Sequence, residues 1–279
     1  MRASRPSNTD AGLVGTMREG VLAQKHLLVG KDGSPDNYDL NVGRTGEGGW
    51  RAPRHRHNFD QIRYVIKGKY PYGKDRVLPE GWVGYFPESV YYGPQDRPEG
   101  LETMVLQFGG ASGGGYLSVA QREAANEALK QRGEFKNGVF TYRDKEGRLH
   151  NKDGSAACFE HATGRKLEFA PPRYEDVIIM DPSAYTWVPQ GLDGVYVKWL
   201  GSFTERGARI GFIRLDRAAT YAGGTQASIE ILFQTKGLVT ADGHEYGVNS
   251  AFEFLPNEGP IVIRAVEPTE FLCMVLHRF

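Results

Sequence analysis

Gly49-Trp50-Arg51-Ala52-Pro53-Arg54-His55-Arg56-His57-Asn58-Phe59-Asp60-Gln61, with a further glycine at Gly68, is the stretch on which the fold turns. Side chains alternate faces along a strand. His55, His57 and Gln61 share parity, so one face of a strand presents two imidazoles and an amide to the same interior. Two imidazoles separated by one residue can chelate a single divalent metal, and a third donor four residues on completes one side of the coordination shell. Arg63 has the same parity as His57 and Gln61. An inward guanidinium there would clamp a substrate carboxylate through paired hydrogen bonds; a bulge would turn it to solvent instead.

Around this stretch, residues 38–42, 61–66, 82–86 and 102–108 read as strands rich in aromatic and β-branched side chains. Gly46-Glu47-Gly48-Gly49, Pro79-Glu80-Gly81 and Arg97-Pro98-Glu99-Gly100 are turns between them. Strands at this spacing predict a barrel or sandwich. A glycine-rich break follows Phe108, and then residues 118–131 predict a helix. Ser118 with Gln121 is a capping-box pair, alanines fill the interior, and Gly133 closes it. Residues 134–173 form a polar insert in which 140–143 and 148–150 pattern as a hairpin, ended by Pro171-Pro172. Strand patterning resumes at residue 177.

The second half repeats the first. Gly68 and Gly237, Gln61 and Glu230, and Pro87 and Pro256 are each 169 positions apart. Met104-Val105-Leu106 reappears as Met274-Val275-Leu276 at an offset of 170. That register points to a duplicated domain. The domain reading is therefore an extension over residues 1–20, a barrel over 21–110, a linking helix and insert over 111–175, and a second barrel over 176–279.

The chain has 279 residues, enough for two cores, and its 34 Lys and Arg balance 34 Asp and Glu. Zero formal charge offers no general attraction for nucleic acid or an anionic membrane surface. No apolar run is long enough for a membrane span. Residues 1–20 carry Arg2, Arg5, Asp10, Arg18 and Glu19 and lack the apolar stretch of a signal peptide. Two distant cysteines, Cys158 and Cys273, fit a reduced, cytoplasmic protein.

The first motif resembles that of the cupin superfamily: Gly, five residues, His-x-His, three or four residues, Glu, six residues, Gly. Gly49, His55, His57 and Gly68 match at every spacing, with Gln61 where Glu is usual. The second cupin motif is matched at Gly81 and Pro87. There Ser89 stands for Gly, Tyr92 for the last His and Asp96 for Asn, after a short spacer of twelve residues. The resemblance implies an all-β bicupin of the quercetin-dioxygenase-like kind, two tandem jelly-roll barrels. It implies one divalent transition metal (iron, copper, manganese, nickel or zinc) on His55, His57, Gln61 and Tyr92. Tyr92 and Arg63 are then the catalytic candidates, with Tyr91 the alternative if the short spacer shifts the register. The implied activity is a dioxygenase, or a related C–C or C–O bond-processing enzyme, on a small organic substrate. The alternative is a metal-free small-molecule binder, or an isomerase or epimerase with His55 or His57 as base and Tyr92 as acid. Trp50, Tyr85 and Gln107 are candidates to line the pocket, or plain packing. Glu160, His161 and Arg165 are read as a lid, a charged pair or solvated surface, and His244 and His277 as surface or core residues. At the aligned positions the second barrel has Gly224, Gln226, Glu230 and Ile261, with no histidine. It is expected to be structural or dimerising, in a homodimer.

Overall fold

A computed structural model describes residues 1–8, 12–13 and 19–279. Asp10 and Arg18 lie outside the described residues. Two large antiparallel sheets dominate. The first runs Ile178–Met180, Val83–Phe86, Phe59–Lys67, Glu102–Gly109, Tyr38–Ala52, Glu19–Val29 and Gly12–Leu13 in spatial order. The second runs Arg2–Ser4, Ala251–Phe254, Glu230–Lys236, Thr269–Val275, Ala208–Leu215, Val195–Phe203 and Val188–Pro189. Smaller sheets accompany them: Lys69–Gly73 with Arg76–Pro79 in the first half, and a four-stranded sheet, Thr220–Gly223 to His244–Tyr246, in the second.

Both faces of the central strands are buried, and this explains their composition. On Phe59–Lys67 the even positions look away from the barrel interior: Ile62 joins a core shared with Ile231, Phe233, Leu272 and Met274 of the second sheet. The odd positions, Gln61, Arg63 and Val65, face the first barrel's own interior. On Glu230–Lys236 the same division holds, with Ile231 and Phe233 in the shared core and Leu232 in the second barrel's core. The 169-residue offset therefore preserves face as well as order. Apolar area enclosed between sheets is the main stabilising term in such a sandwich, at about 25 cal/mol per Å².

The two halves exchange strands. Arg2–Ser4 pairs with Ala251–Phe254 of the second sheet, and Ile178–Met180 pairs with Val83–Phe86 of the first. Residues read as an N-terminal extension thus complete the far barrel. The resumption of strand patterning after the insert serves the near one.

The insert holds more than one helix and a hairpin. The helix Val119–Lys130 has the expected reciprocal capping box of Ser118 and Gln121. A second helix, Gly154–Thr163, was not read from the sequence, although Asp153 caps its start and Gly164 ends it with φ 67°. The hairpin gains a third strand, Gly133–Lys136, beside Val139–Arg143 and Leu149–Asp153. Ala125, Leu129, Phe140, Ala157 and Cys158 form its core.

Candidate active site in the first barrel

The strand parity brings the motif residues together. The backbones of His55 and Tyr92 exchange two hydrogen bonds of 3.0 Å, which fixes the two residues side by side, with ring centroids 4.5 Å apart. His57 and Tyr92 meet through Nε2 and the phenol oxygen at 3.0 Å. Gln61 Nε2 donates to the same phenol oxygen at 2.9 Å, and Arg63 Nη2 donates to Gln61 Oε1 at 2.6 Å. Phe59–Lys67 pairs with Val83–Phe86 without a bulge, so Arg63 stays inward and buried. Tyr91 is 43% exposed, under the guanidinium groups of Arg54 and Arg56, so Tyr92 is the tyrosine that enters the barrel.

These bonds have a direction. Arginine only donates, so Gln61 accepts on its oxygen and donates from its nitrogen. Tyr92 therefore accepts from Gln61, while the contact with His57 Nε2 runs either way according to the imidazole tautomer. At His55, Nδ1 lies 2.6 Å from the carbonyl oxygen of Pro53, which can only accept. That nitrogen therefore carries a proton. Burial raises the Tyr92 pKa above that of a free phenol, and the positive charge of Arg63 and the Gln61 hydrogen bond pull it back.

Four neighbours, Arg97, Gln95, Tyr70 and Phe86, were not singled out from the sequence as site residues. Arg97 ends the short strand Gln95–Arg97 and is buried, donating from Nε and Nη2 to Gln95 Oε1 at 3.0 and 2.8 Å. Its guanidinium stacks on Trp50 and Tyr70, with the carbon 4.1 and 5.0 Å from the ring centroids. Arg63 stacks on Tyr70 from 4.9 Å and on Phe86 from 5.4 Å. Burial, with Arg63 nearby, lowers the Arg97 pKa to about 10, so it remains charged at neutral pH. The signal that could have found Arg97 is the shared parity of Gln95 and Arg97 just before a turn.

Of the lining candidates, Trp50 lies against Arg97 in the barrel. Gln107 pairs directly across from Gln61 and accepts from the Tyr116 hydroxyl at 2.9 Å. Tyr85 does not line the pocket, because its parity is that of Ile62. It points between the sheets and donates to Asp60 Oδ2 at 2.6 Å. His277, fully buried, reaches the same carboxylate through Nε2 at 2.7 Å and so ties the second half to the first. His244 is exposed. In the insert, Glu160 pairs with Lys152, and Arg165 lies 5.9 Å from the Phe159 ring. His161 lines an open cavity of about 260 Å³ with Arg132, Tyr142 and Arg143.

The donor set can be tested against a resident divalent metal. Gln61 has one ligating atom, Oε1, and it already accepts from Arg63, so a metal there would stand beside a guanidinium cation. Tyr92 would have to bind as phenolate while already accepting from Gln61. Two buried guanidinium groups add positive charge, and neither forms an ion pair with a carboxylate among the described residues. What remains is two imidazoles in a cationic interior, which is a poor site for a divalent cation. Among the described residues no three His, Cys, Asp or Glu side chains group to hold a metal ion. As arranged, His55, His57, Gln61 and Tyr92 do not fit the implied metal.

The second barrel is polar at one point. Glu230, at the position of Gln61, accepts from the Tyr221 hydroxyl, from Cys273 Sγ at 3.7 Å and from Gly224 N at 3.4 Å. Burial pushes its carboxyl pKa up. Gln226 accepts from Arg209 at 2.8 Å.

Solved structures share this architecture across the whole chain. A suspected dioxygenase from Nostoc punctiforme superposes with a TM-score of 0.63 over 99% of this chain and 82% of that one, at 13% identity. The chain has a bicupin fold. A single-residue variant of the bicupin oxalate decarboxylase of Bacillus subtilis gives a TM-score of 0.57 over 99% of this chain and 77% of that one, at 14% identity. At such identity the likeness between these bicupins is one of fold. No family model matches the sequence, and no curated protein does. No helix among the described residues of this bicupin is long and apolar enough to cross a membrane.

Proposed function

We propose that the first barrel is the active site of a small-molecule isomerase or epimerase that works by proton transfer without a resident metal. The observation that carries this reading is the hydrogen-bonded chain Arg63–Gln61–Tyr92–His57, in the tautomer that leaves His57 Nε2 as the acceptor. A carbon acid placed at the Tyr92 oxygen loses its proton to that oxygen as Tyr92 passes its own proton to His57 Nε2. The C–H bond breaks, the Tyr92 O–H bond re-forms, His57 becomes imidazolium, and the electron pair moves onto the substrate carbonyl oxygen as an enolate. Reversal with delivery to another face or carbon gives the epimer or isomer. Gln61 and the charge of Arg63 stabilise the phenolate character that develops on Tyr92, and a positioned acid–base pair of this kind contributes about 10²–10⁴ in rate.

The test is hydrogen–deuterium exchange. Small hydroxy, keto and dicarbonyl compounds are incubated with the chain in D₂O and followed by proton NMR. Exchange next to a carbonyl, lost in Tyr92→Phe and in His57→Asn, is expected. The competing reading is a metal-dependent dioxygenase, favoured by the His-x-His spacing of His55 and His57 and by the dioxygenase among the structural neighbours. About one equivalent of transition metal per chain, lost in His57→Ala, together with oxygen uptake, would replace the proton-transfer reading with that one.

A further inference from the structure

Buried charges in proteins are normally paired, and buried polar atoms normally bonded. The first barrel departs from both norms in one place. Arg63 and Arg97 are 4% and 5% exposed, both stack on one ring, Tyr70, and form an ion pair with no carboxylate among the described residues. Both instead donate to the neutral amide oxygens of Gln61 and Gln95. Around them Arg63 Nε and Gln95 Nε2 are buried without a hydrogen-bond partner. The Tyr70 hydroxyl lies close to Arg97 yet completes no hydrogen bond of normal geometry. Two desolvated cations and three unspent polar atoms thus meet in one interior. Aromatic faces moderate the charge, but cation–π contacts do not neutralise it.

We infer that the ligand of the first barrel is a small carboxylate, whose anionic group lies against Arg63 and Arg97 and supplies the missing counter-charge. Guanidinium and carboxylate match in shape and hydrogen-bond count, and pairing in a desolvated interior is strong. The rim has the same sign: Arg54 and Arg56 flank His55 and stack on Tyr91, and so draw anions inward. Burial, with Arg63 nearby, lowers the Arg97 pKa, so an anion beside it would relieve that cost. This names the substrate class for the proton-transfer site proposed above and rests on that site being where the ligand binds.

Malonate and benzoate, with malonamide as the neutral control, are titrated into the full chain by calorimetry and by thermal unfolding. Expected are binding of at least one carboxylate, a raised Tm, and weaker affinity at higher salt. Arg63→Gln and Arg97→Gln should each weaken it by about tenfold or more, whereas Arg132→Gln, at the open cavity of the insert, should leave it unchanged. Arg97→Lys keeps a charge without the fork and should fall between. No carboxylate binding to the unmodified chain up to about 10 mM overturns the inference. So does malonamide binding as well as malonate, or binding that follows Arg132 instead. The two proposals fail separately. Tyr92→Phe should lose deuterium exchange and keep carboxylate binding; exchange on neutral carbonyl compounds that is indifferent to Arg97→Gln would leave proton transfer standing and sink the carboxylate.

Discussion

On the central strand of the first barrel, Gln61 and Arg63 face inward; on that of the second, the matching positions are Glu230 and Leu232. Tyr92 is matched by Ile261. The frame is the same, with strands in the same order and the same face turned inward, and the electrostatics are reversed. Among the described residues, one interior holds cations without a paired carboxylate, and in the other the acid Glu230 has no cation bonded to it. Glu230 is satisfied from within its own barrel by Tyr221, Gly224 and Cys273. Arg63 and Gln95 keep donors unspent. The sheet fixes where a side chain points and leaves open what it carries. After duplication one copy can keep its interior for a ligand while the other closes on itself.

The largest effect expected bears on whether the two barrels are separate objects at all. The shared core and the exchanged strands make them one cooperative unit. Truncation after Phe108 should abolish the cooperative thermal transition seen by circular dichroism, while the full chain melts in one step. A stable, cooperatively folding fragment would break the comparison into two independent domains. Next is the buried tie between halves. His277→Ala leaves Asp60 without one of its partners and should cost about 3 kcal/mol, read from the denaturant midpoint at unchanged slope. A loss under about 1 kcal/mol would mean that the shared apolar core alone joins the barrels.

Two reciprocal substitutions sharpen the contrast. Gln61→Glu gives the first barrel the acid of the second. The new carboxylate should pair with Arg63, so malonate affinity should drop about tenfold or more. Titration of manganese(II) into the same variant checks the competing metal reading, which alone requires that affinity to rise. Glu230→Gln has the smallest effect. The raised carboxyl pKa means that the folded state keeps its proton where the unfolded chain has released it. Stability therefore falls as pH rises from the ordinary glutamate range through the raised value. The amide cannot titrate, so the variant should gain a few degrees in Tm over the parent as pH is raised, and nothing below the glutamate range.

Much of this was legible because strands have period two. His55, His57, Gln61 and Arg63 could be placed on one face by counting, and the 169-residue offset carried that face to Glu230. Tyr92 followed from motif spacing, with Tyr91 the alternative that the exposure of its ring removes. Counting failed where elements are short. Gln95–Arg97 spans three residues, too few for a pattern, and its arginine was absorbed into the turn that follows. For Tyr85 the reading left pocket lining and plain packing open, and pairing with Ile62 turns it to the packing between the sheets. The second helix was hidden by its polar surroundings, although Asp153 and Gly164 mark both ends. The exchanged strands could not have been read, because nothing local distinguishes a strand that pairs nearby from one that pairs across the molecule.

That exchange has a consequence for how the protein is made. Arg2–Ser4 hydrogen-bonds to Ala251–Phe254, so this segment has its partner strand made about 250 residues later, a wait of roughly 12–50 s at ordinary elongation rates. Until then the second sheet has an unprotected edge and the N-terminal strand has nowhere to go. A tag fused ahead of Met1 would sit beside the second sheet, and its influence on yield should be felt there, far along the chain from where it was attached.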